Sequence, residues 1–187
     1  MCQGIETGHT YRHYCENGAQ LEGGSLIATE DVENQYDQAI EEGPIRSIIM
    51  DGGGNDLLLG GESEYNEAVD QELKAAWIRI LDKAQSDGVQ NMVVQGYYMT
   101  DNTTLDVADL IQMGQFLETK GAQRGITLVY VNPATDPWFA NKNPSEYTRF
   151  DGIHPTEEAS EQLANMVWDA MEAHNIEQGA GCEAFTP

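Results

Sequence analysis

Two short strings of residues in this chain have the types and spacing of a hydrolytic site. The first is Gly53-Gly54-Asn55-Asp56, at the end of an apolar run, and the second is Asp151-Gly152-Ile153-His154. A histidine serves as general base near neutral pH when a carboxylate accepts a hydrogen bond from its Nδ1–H, because this bond fixes the tautomer. We therefore predict that His154 is a general base and that Asp151 orients it.

The amide of Asn55 is a donor of the kind that stabilises an oxyanion. In other acyl-transfer enzymes such a donor is worth about 3 kcal/mol to the transition state. The glycines before Asn55 let the backbone turn sharply and leave room for a substrate carbonyl. Asp56 is expected to cap the following segment rather than to react.

Both strings also have interpretations without catalysis. Asp151 could merely cap its turn, with His154 packed beside Pro155. The stretch 51–61 resembles one calcium-binding nonapeptide of a β-roll, but such units are stable only in stacked copies and this chain contains one. We therefore predict no metal site and no organic cofactor.

Charge and hydropathy exclude several classes of partner. The chain has 187 residues, the length of a single domain, with 32 acidic against 9 basic residues and a net charge of -23. Such a surface repels nucleic-acid phosphates and anionic lipid. No apolar run approaches the ~20 residues that span a bilayer, and no signal peptide begins the chain. The protein is therefore expected to be cytosolic or to have lost a signal, with a secreted or periplasmic location favoured.

Short apolar runs alternate with segments of helical period. This pattern predicts a flavodoxin-like α/β fold, a three-layer sandwich with a mostly parallel sheet. The predicted strands are an edge-like one at 11–14 and buried ones at 45–50, 91–96 and 126–131. The predicted helices are 64–86, 105–120, opened by Thr103-Thr104, and 156–174, capped by Thr156.

Sites in such sheets form at the carboxyl ends of the strands. Asn55 follows one predicted strand, and the loop 132–155 that carries Asp151 and His154 follows another. We therefore expect these groups to converge on one edge of the sheet. Candidates for pocket walls, with core packing as the alternative, are Tyr97, Tyr98, Met99 and Trp138.

The two strings resemble blocks III and V of the SGNH (GDSL) hydrolases, serine esterases and lipases with a flavodoxin-like fold. The segment 11–19 resembles the strand and block II glycine of the same family, and the likeness extends from about residue 11 to 174 with the blocks in order. The resemblance implies that His154 is the base and Asp151 its orienter. It also implies that the backbone N–H of Gly18 and the side chain of Asn55 are oxyanion donors.

The chain departs from this family at block I, the Gly-Asp-Ser motif that carries the nucleophile. The ten residues before Tyr11 contain no serine. Gly23-Gly24-Ser25-Leu26 mimics the motif and makes Ser25 a candidate, but no buried strand leads into it, and a Gly-rich surface loop is the alternative. The nucleophile is therefore unidentified.

The family's central first strand is missing together with block I. Its absence is expected to leave the strand 45–50 with an unpaired edge and exposed apolar side chains, which is a site of association. We expect a homodimer or strand exchange there, a rearranged sheet, or a longer natural protein of which this chain is one part. The three cysteines Cys2, Cys15 and Cys182 are either free, or Cys182 is joined to one of the others.

The combined expectation is a carboxylic-ester hydrolase of SGNH type, with a Ser-His-Asp acyl-enzyme mechanism on small acyl or aryl esters. Two alternatives stay open at this point. One is an inactive or truncated member that keeps the fold without acyl transfer, and the other is a carbohydrate acetyl esterase.

Overall fold

A computed structural model describes residues 14, 19–21, 31–59, 67–100 and 106–176 of the chain. Within these ranges the strands are β1 (Ser47–Asp51), β2 (Asn91–Gln95) and β3 (Thr127–Val131). The helices are α1 (Val32–Glu41), α2 (Gly54–Leu59), α3 (Glu67–Ser86), α4 (Val107–Ala122), α5 (Pro137–Ala140), α6 (Pro144–Tyr147) and α7 (Glu157–Ala173). A short 3-10 turn, Pro133–Thr135, follows β3.

The described strands form one sheet in the order β1-β2-β3, and both pairings are parallel. In the shared register Ile49 lies beside Val93, and Val93 lies beside Val129. Parallel strands need a helical crossover between them, and α3 and α4 are those crossovers. The predicted α/β fold with a parallel sheet is confirmed.

One face of the sheet is covered by α1, α3 and α4. The strand side chains Met92, Val94 and Leu128 belong to one buried cluster with residues from these helices. In α3 the apolar positions recur at helical spacing and are all buried: Leu73, Trp77, Ile80, Leu81 and Ala84. This periodicity is what drives the helix onto the sheet.

The other face is covered by α7. Side chains alternate along a strand, so Val93 and Val129 point away from α3 and pack with Met171 of α7. Helix α7 begins as predicted, because the Thr156 hydroxyl accepts a hydrogen bond from Ala159 N at 3.2 Å. The molecule is therefore a three-layer sandwich.

The apolar pattern at 45–50 predicted a buried strand, whereas the resemblance implied a strand with an unpaired edge. For the part of the chain that the structure describes, the prediction of a buried strand is wrong. There β1 lies at the edge of the sheet, and α7 packs against β2 and β3. Ile49, on the α7 side, is 51% exposed as a result. This exposed apolar side chain agrees with the unpaired edge that was expected for this strand.

Other segments differ from what the sequence predicted or lie outside the described residues. Helix α4 starts from a capping box between Asp106 and Asp109, not from Thr103-Thr104, which lie outside the described residues. Helix α1, capped by Asp31, was not predicted. The strand at 11–14, apart from Tyr14, and the three cysteines also lie outside the described residues.

Helices α1 and α3 are joined by a group of charged side chains that we call the α1–α3 ion cluster: Glu33, Asp37, Arg79 and Lys83. The Lys83 ammonium lies 2.8 Å from Glu33 and 2.7 Å from Asp37, and Arg79 lies 3.3 Å from Glu33. The bond from Lys83 lowers the pKa of Glu33. Burial opposes the charge of Lys83, but its two carboxylate bonds outweigh burial and raise its pKa.

None of the helices within the described ranges is both long enough and apolar enough to cross a membrane.

Candidate active site

Asp151 and His154 lie in a tight hairpin of residues 148–155, which we call the dyad turn. Its ends meet in an antiparallel bridge between Thr148 and Pro155. Inside it, Arg149 N donates to His154 O at 2.7 Å and Gly152 N donates to Arg149 O at 2.8 Å. Gly152 has a φ of 70°, which favours glycine, so the sequence itself supports this turn.

The dyad turn brings the predicted acid and base side chains together. His154 Nδ1 is 2.9 Å from Asp151 Oδ2, and Asp151 Oδ1 accepts hydrogen bonds from the backbone N–H groups of Ile153 and His154, both at 2.9 Å. The Ile153 N–H, the imidazole and the His154 N–H lower the pKa of Asp151 to about 2. Asp151 is therefore a carboxylate at neutral pH, able to accept a hydrogen bond from Nδ1–H.

The second ring nitrogen of His154 is open. The side chain is 71% exposed, and within the described ranges no residue hydrogen-bonds Nε2. With Nδ1 held by the carboxylate, the neutral imidazole carries its free lone pair on Nε2. This arrangement can accept a proton from a group that approaches from solvent.

Asn55 lies at the start of α2, directly after three glycines, Gly52 to Gly54, which we call the glycine turn. Gly53 has a φ of 92°, and a side chain there would overlap the hydroxyl of Tyr97. That hydroxyl donates to Gly52 O. The glycines therefore permit a close approach of Tyr97 that fixes the path of the chain from β1 into α2.

The amide of Asn55 is joined to the segment 19–21. Asn55 Nδ2 donates to Ala19 O at 2.9 Å, and the neighbouring Asp56 carboxylate accepts from Leu21 N at 2.9 Å. The bond from Asp56 to this segment was not predicted. Gly18, the other predicted oxyanion donor, lies outside the described residues, and Ala19 is its neighbour in the sequence.

Two consecutive tyrosines after β2 connect the glycine turn with the dyad turn. Tyr97 binds Gly52 O, and the Tyr98 hydroxyl donates to Ile153 O at 2.7 Å. Burial, and then the charges of Asp151 and Asp51, raise the pKa of Tyr98 to about 12. The carboxyl ends of β1 and β2 and the dyad turn therefore meet at one edge of the sheet.

The predicted wall residues contribute mainly to packing. Tyr97 and Met99 pack against the buried Leu110 and Ala134. Tyr98 and Trp138 belong to an aromatic cluster with Phe139 and Tyr147, and the Lys142 ammonium covers the Trp138 ring at 3.2 Å. Core packing, the alternative role, thus accounts for their contacts. A fully exposed aromatic residue beside the dyad, Phe150, was not predicted.

No serine within the described ranges is hydrogen-bonded to His154. Ser47 begins β1, at the opposite end of the strand from Asn55, and accepts a bond from Asn91. Ser160 donates to Thr156 O at 2.9 Å in α7. Ser25, the candidate nucleophile, lies outside the described residues. Asp151 and His154 are thus bonded to each other, and no nucleophile is identified among the described residues.

Metal-ligating side chains are not clustered in this part of the molecule. Among the residues that the structure describes, no three or more histidines, cysteines, aspartates or glutamates are grouped so as to hold an ion.

Solved structures share this fold, although no protein-family model matches the chain and no curated protein matches it in sequence. One is the psychrotrophic esterase EstA from Pseudoalteromonas sp., inhibited by monoethylphosphonate. Its TM-score is 0.52 at 14% identity, over 76% of this chain and 69% of that chain. Another is LAE5, an α/β hydrolase enzyme from the metagenome of Lake Arreo, Spain. Its TM-score is 0.56 at 16% identity, over 87% of this chain and 71% of that one. This chain therefore has an α/β fold of the type found in these two enzymes.

Proposed function

We propose that this protein is a carboxylic-ester hydrolase of SGNH type that acts on small acyl or aryl esters. The observation that carries the proposal is the 2.9 Å contact between His154 Nδ1 and Asp151, with Nε2 open to solvent. The fold shared with an esterase and an α/β hydrolase supports the same reaction class. The resemblance of the two strings to blocks III and V supports the SGNH type.

The proposed reaction has two halves. A serine hydroxyl attacks the ester carbonyl, its proton passes to His154 Nε2, and the bond to the alcohol breaks as the imidazolium returns that proton to the leaving oxygen. Water then attacks the acyl-enzyme with the same proton transfers and releases the acid. Asp151 stays ionised throughout and balances the charge of the imidazolium.

Asn55 and Gly18 are the proposed oxyanion donors. A carboxamide nitrogen carries two N–H groups, and Asn55 uses one of them on Ala19 O. Among the described residues nothing accepts from the second N–H, and we propose that it donates to a substrate oxygen. Gly18 precedes Ala19 in the sequence, and the bond between Ala19 and Asn55 supports the proposal that the two donors act together.

The direct test is hydrolysis of p-nitrophenyl acetate by the wild type and by His154→Ala. We expect the variant to lose about 10⁴-fold or more in kcat/KM, because the base is removed. His174→Ala is the matched control, since this histidine caps the C-terminal end of α7, where its Nδ1 lies 2.9 Å from Ala170 O. Equal rates for the wild type and His154→Ala would refute an esterase that uses this base.

The nucleophile is tested separately with an ethyl fluorophosphonate probe. An adduct on Ser25, abolished in Ser25→Ala, would assign the nucleophile within this chain. No adduct on any serine of a folded sample would favour the alternative of an inactive fold. Turnover of acetylated sugars in preference to aryl esters would favour the carbohydrate acetyl esterase instead.

We also propose that β1 pairs with a second copy of the chain along its outer edge. The 51% exposure of Ile49 on that edge supports this, because exposed edge strands with apolar side chains promote pairing between chains. In sedimentation velocity, the wild type is expected to be a dimer and Ile49→Lys a monomer. The control Ile111→Lys changes an exposed isoleucine of α4. A monomeric wild type, or equal dimerisation of both variants, would contradict this pairing.

A further inference from the structure

Tyr98 holds the dyad turn from a distant part of the sequence. Its hydroxyl donates to Ile153 O at 2.7 Å, across 55 positions of the chain. The carbonyl of Ile153 and the N–H of His154 belong to one planar peptide unit. That same N–H donates to Asp151 Oδ1 at 2.9 Å. One peptide plane is therefore bonded on one side to Tyr98 and on the other to the carboxylate of the dyad.

The ring of Tyr98 is itself held in place. It stacks on Phe139 with ring centroids 6.3 Å apart and meets Tyr147 edge-on at 6.1 Å. Contacts of this kind restrict the side chain to one orientation. The hydroxyl is thus carried by a packed, half-buried ring and is bonded to the dyad turn.

The hydroxyl also stays a donor throughout the working pH range. Burial, and then the charges of Asp151 and Asp51, raise the pKa of Tyr98 to about 12. A neutral phenol donates to the carbonyl, whereas a phenolate would repel both the carbonyl and Asp151.

We propose that Tyr98 is a positioning residue for the dyad: by fixing the peptide plane between Ile153 and His154, it holds the carboxylate of Asp151 against Nδ1 of the imidazole. The catalytic part of this statement rests on the proposed esterase function. The positioning part concerns the geometry of the dyad turn alone and is measurable without substrate.

The test compares Tyr98→Phe with Tyr147→Phe. Both changes remove one hydroxyl from the same aromatic cluster and keep the ring. The Tyr147 hydroxyl donates to Met99 O at 2.8 Å, not to the dyad turn, so this variant is the matched control. Melting curves of both variants verify that each one is folded.

Two NMR measurements report on positioning. The carboxyl carbon of Asp151 is followed through an acid titration, and hydrogen exchange is followed at the His154 amide. In Tyr98→Phe we expect the pKa of Asp151 to rise from about 2 toward its ordinary 3.8. We expect the His154 amide to exchange about tenfold faster, as for the loss of one hydrogen bond. Tyr147→Phe is expected to match the wild type in both.

An unchanged Asp151 titration and unchanged His154 exchange in Tyr98→Phe would overturn the proposal, as would equal changes in both variants. The wild type supplies a measurement that does not depend on any variant. A slowly exchanging Tyr98 hydroxyl proton is expected, and its absence would contradict the contact with Ile153 O.

Kinetics separate this proposal from the proposed function. Tyr98→Phe is expected to lower kcat for p-nitrophenyl acetate about tenfold with KM unchanged, because the base is misaligned while binding persists. If the NMR changes occur but the wild type does not hydrolyse esters, the esterase function fails and the positioning role stands. If esters are hydrolysed and the NMR signals do not change, the positioning role fails alone.

Discussion

The dyad turn and the α1–α3 ion cluster both pair carboxylates with nitrogen groups. They differ in whether a nitrogen atom remains open to a further partner. In the ion cluster, Lys83 lies between two carboxylates and Arg79 adds a further contact, so the charges neutralise one another. In the dyad turn, Asp151 is bonded by two backbone N–H groups and one imidazole nitrogen, and the other imidazole nitrogen is open.

This difference separates a contribution to stability from a capacity for chemistry. Long side chains on two helix surfaces connect α1 to α3, and screening by water limits such pairs to about 1 kcal/mol or less. The dyad joins short side chains in a turn with a fixed backbone, which suits proton transfer. We therefore expect changes in the ion cluster to affect melting and changes in the dyad turn to affect turnover.

The largest effect within this comparison is expected for Asp151→Asn. An amide oxygen still accepts the turn's N–H bonds, but the charge that holds the Nδ1–H tautomer is lost, so kcat is expected to fall about 10⁴-fold. Asp136→Asn is the matched control, because Asp136 also accepts a backbone N–H, from Trp138 at 2.9 Å, outside the dyad turn. Similar kcat values for both variants would contradict a role for the dyad.

The next effect is expected for Asn55→Ala. Removing one oxyanion donor is expected to lower kcat about 10²-fold with little change in KM, since the contact forms in the transition state. Asn141→Ala removes an amide that likewise donates to a backbone carbonyl, that of Pro137 at 2.7 Å, and is expected to keep full activity. If Asn55→Ala lowers stability without lowering kcat, the role of Asn55 is its structural bond to Ala19 O and not oxyanion binding.

The smallest effect is expected for Lys83→Met, which should lower the free energy of unfolding by about 0.5 to 1 kcal/mol and leave turnover unchanged. The control Lys120→Met changes the net charge equally, but that ammonium contacts the side-chain oxygen of Gln123 rather than a carboxylate. Urea unfolding measures the free energy of unfolding of both variants. Equal losses in the two variants would show that only net charge matters.

The pH dependence of this loss follows from the shifted pKa values. Glu33 has a lowered pKa, so its contribution to stability is present above its ordinary pKa of 4.5 and is lost as the pH falls. Lys83 has a raised pKa, so its contribution to stability is present below its ordinary pKa of 10.5 and is lost as the pH rises further. The difference between the wild type and Lys83→Met is therefore expected to be largest between these values.

The sequence predicted those features whose causes are local. Strands β2 and β3 are short apolar runs, and the dyad turn needs only bonds between residues at most a few positions apart, with Gly152 to allow the bend. Helix α1 was not predicted because its apolar positions are sparse in an acidic segment. The capping side chain of Asp31 was the available signal.

Features that depend on distant residues could not be read from the sequence. An apolar run such as 48–50 occurs both in central strands and in edge strands, so its pattern alone did not place β1. The edge position was expected only from the resemblance, and the order of the described strands agrees with it. The bond from Tyr98 to Ile153 depends on how the loop after β2 packs against the dyad turn. The sequence indicated only that both lie at the same edge.

The close approach of Tyr97 to the glycine turn has an evolutionary consequence. The space that a side chain at position 53 would need is filled by the hydroxyl of Tyr97. A lineage that replaced Gly53 alone would have to displace that phenol and disturb the entry to α2. Descendants of this protein should therefore inherit glycine at 53 and tyrosine at 97 as a covarying pair, and lose them together.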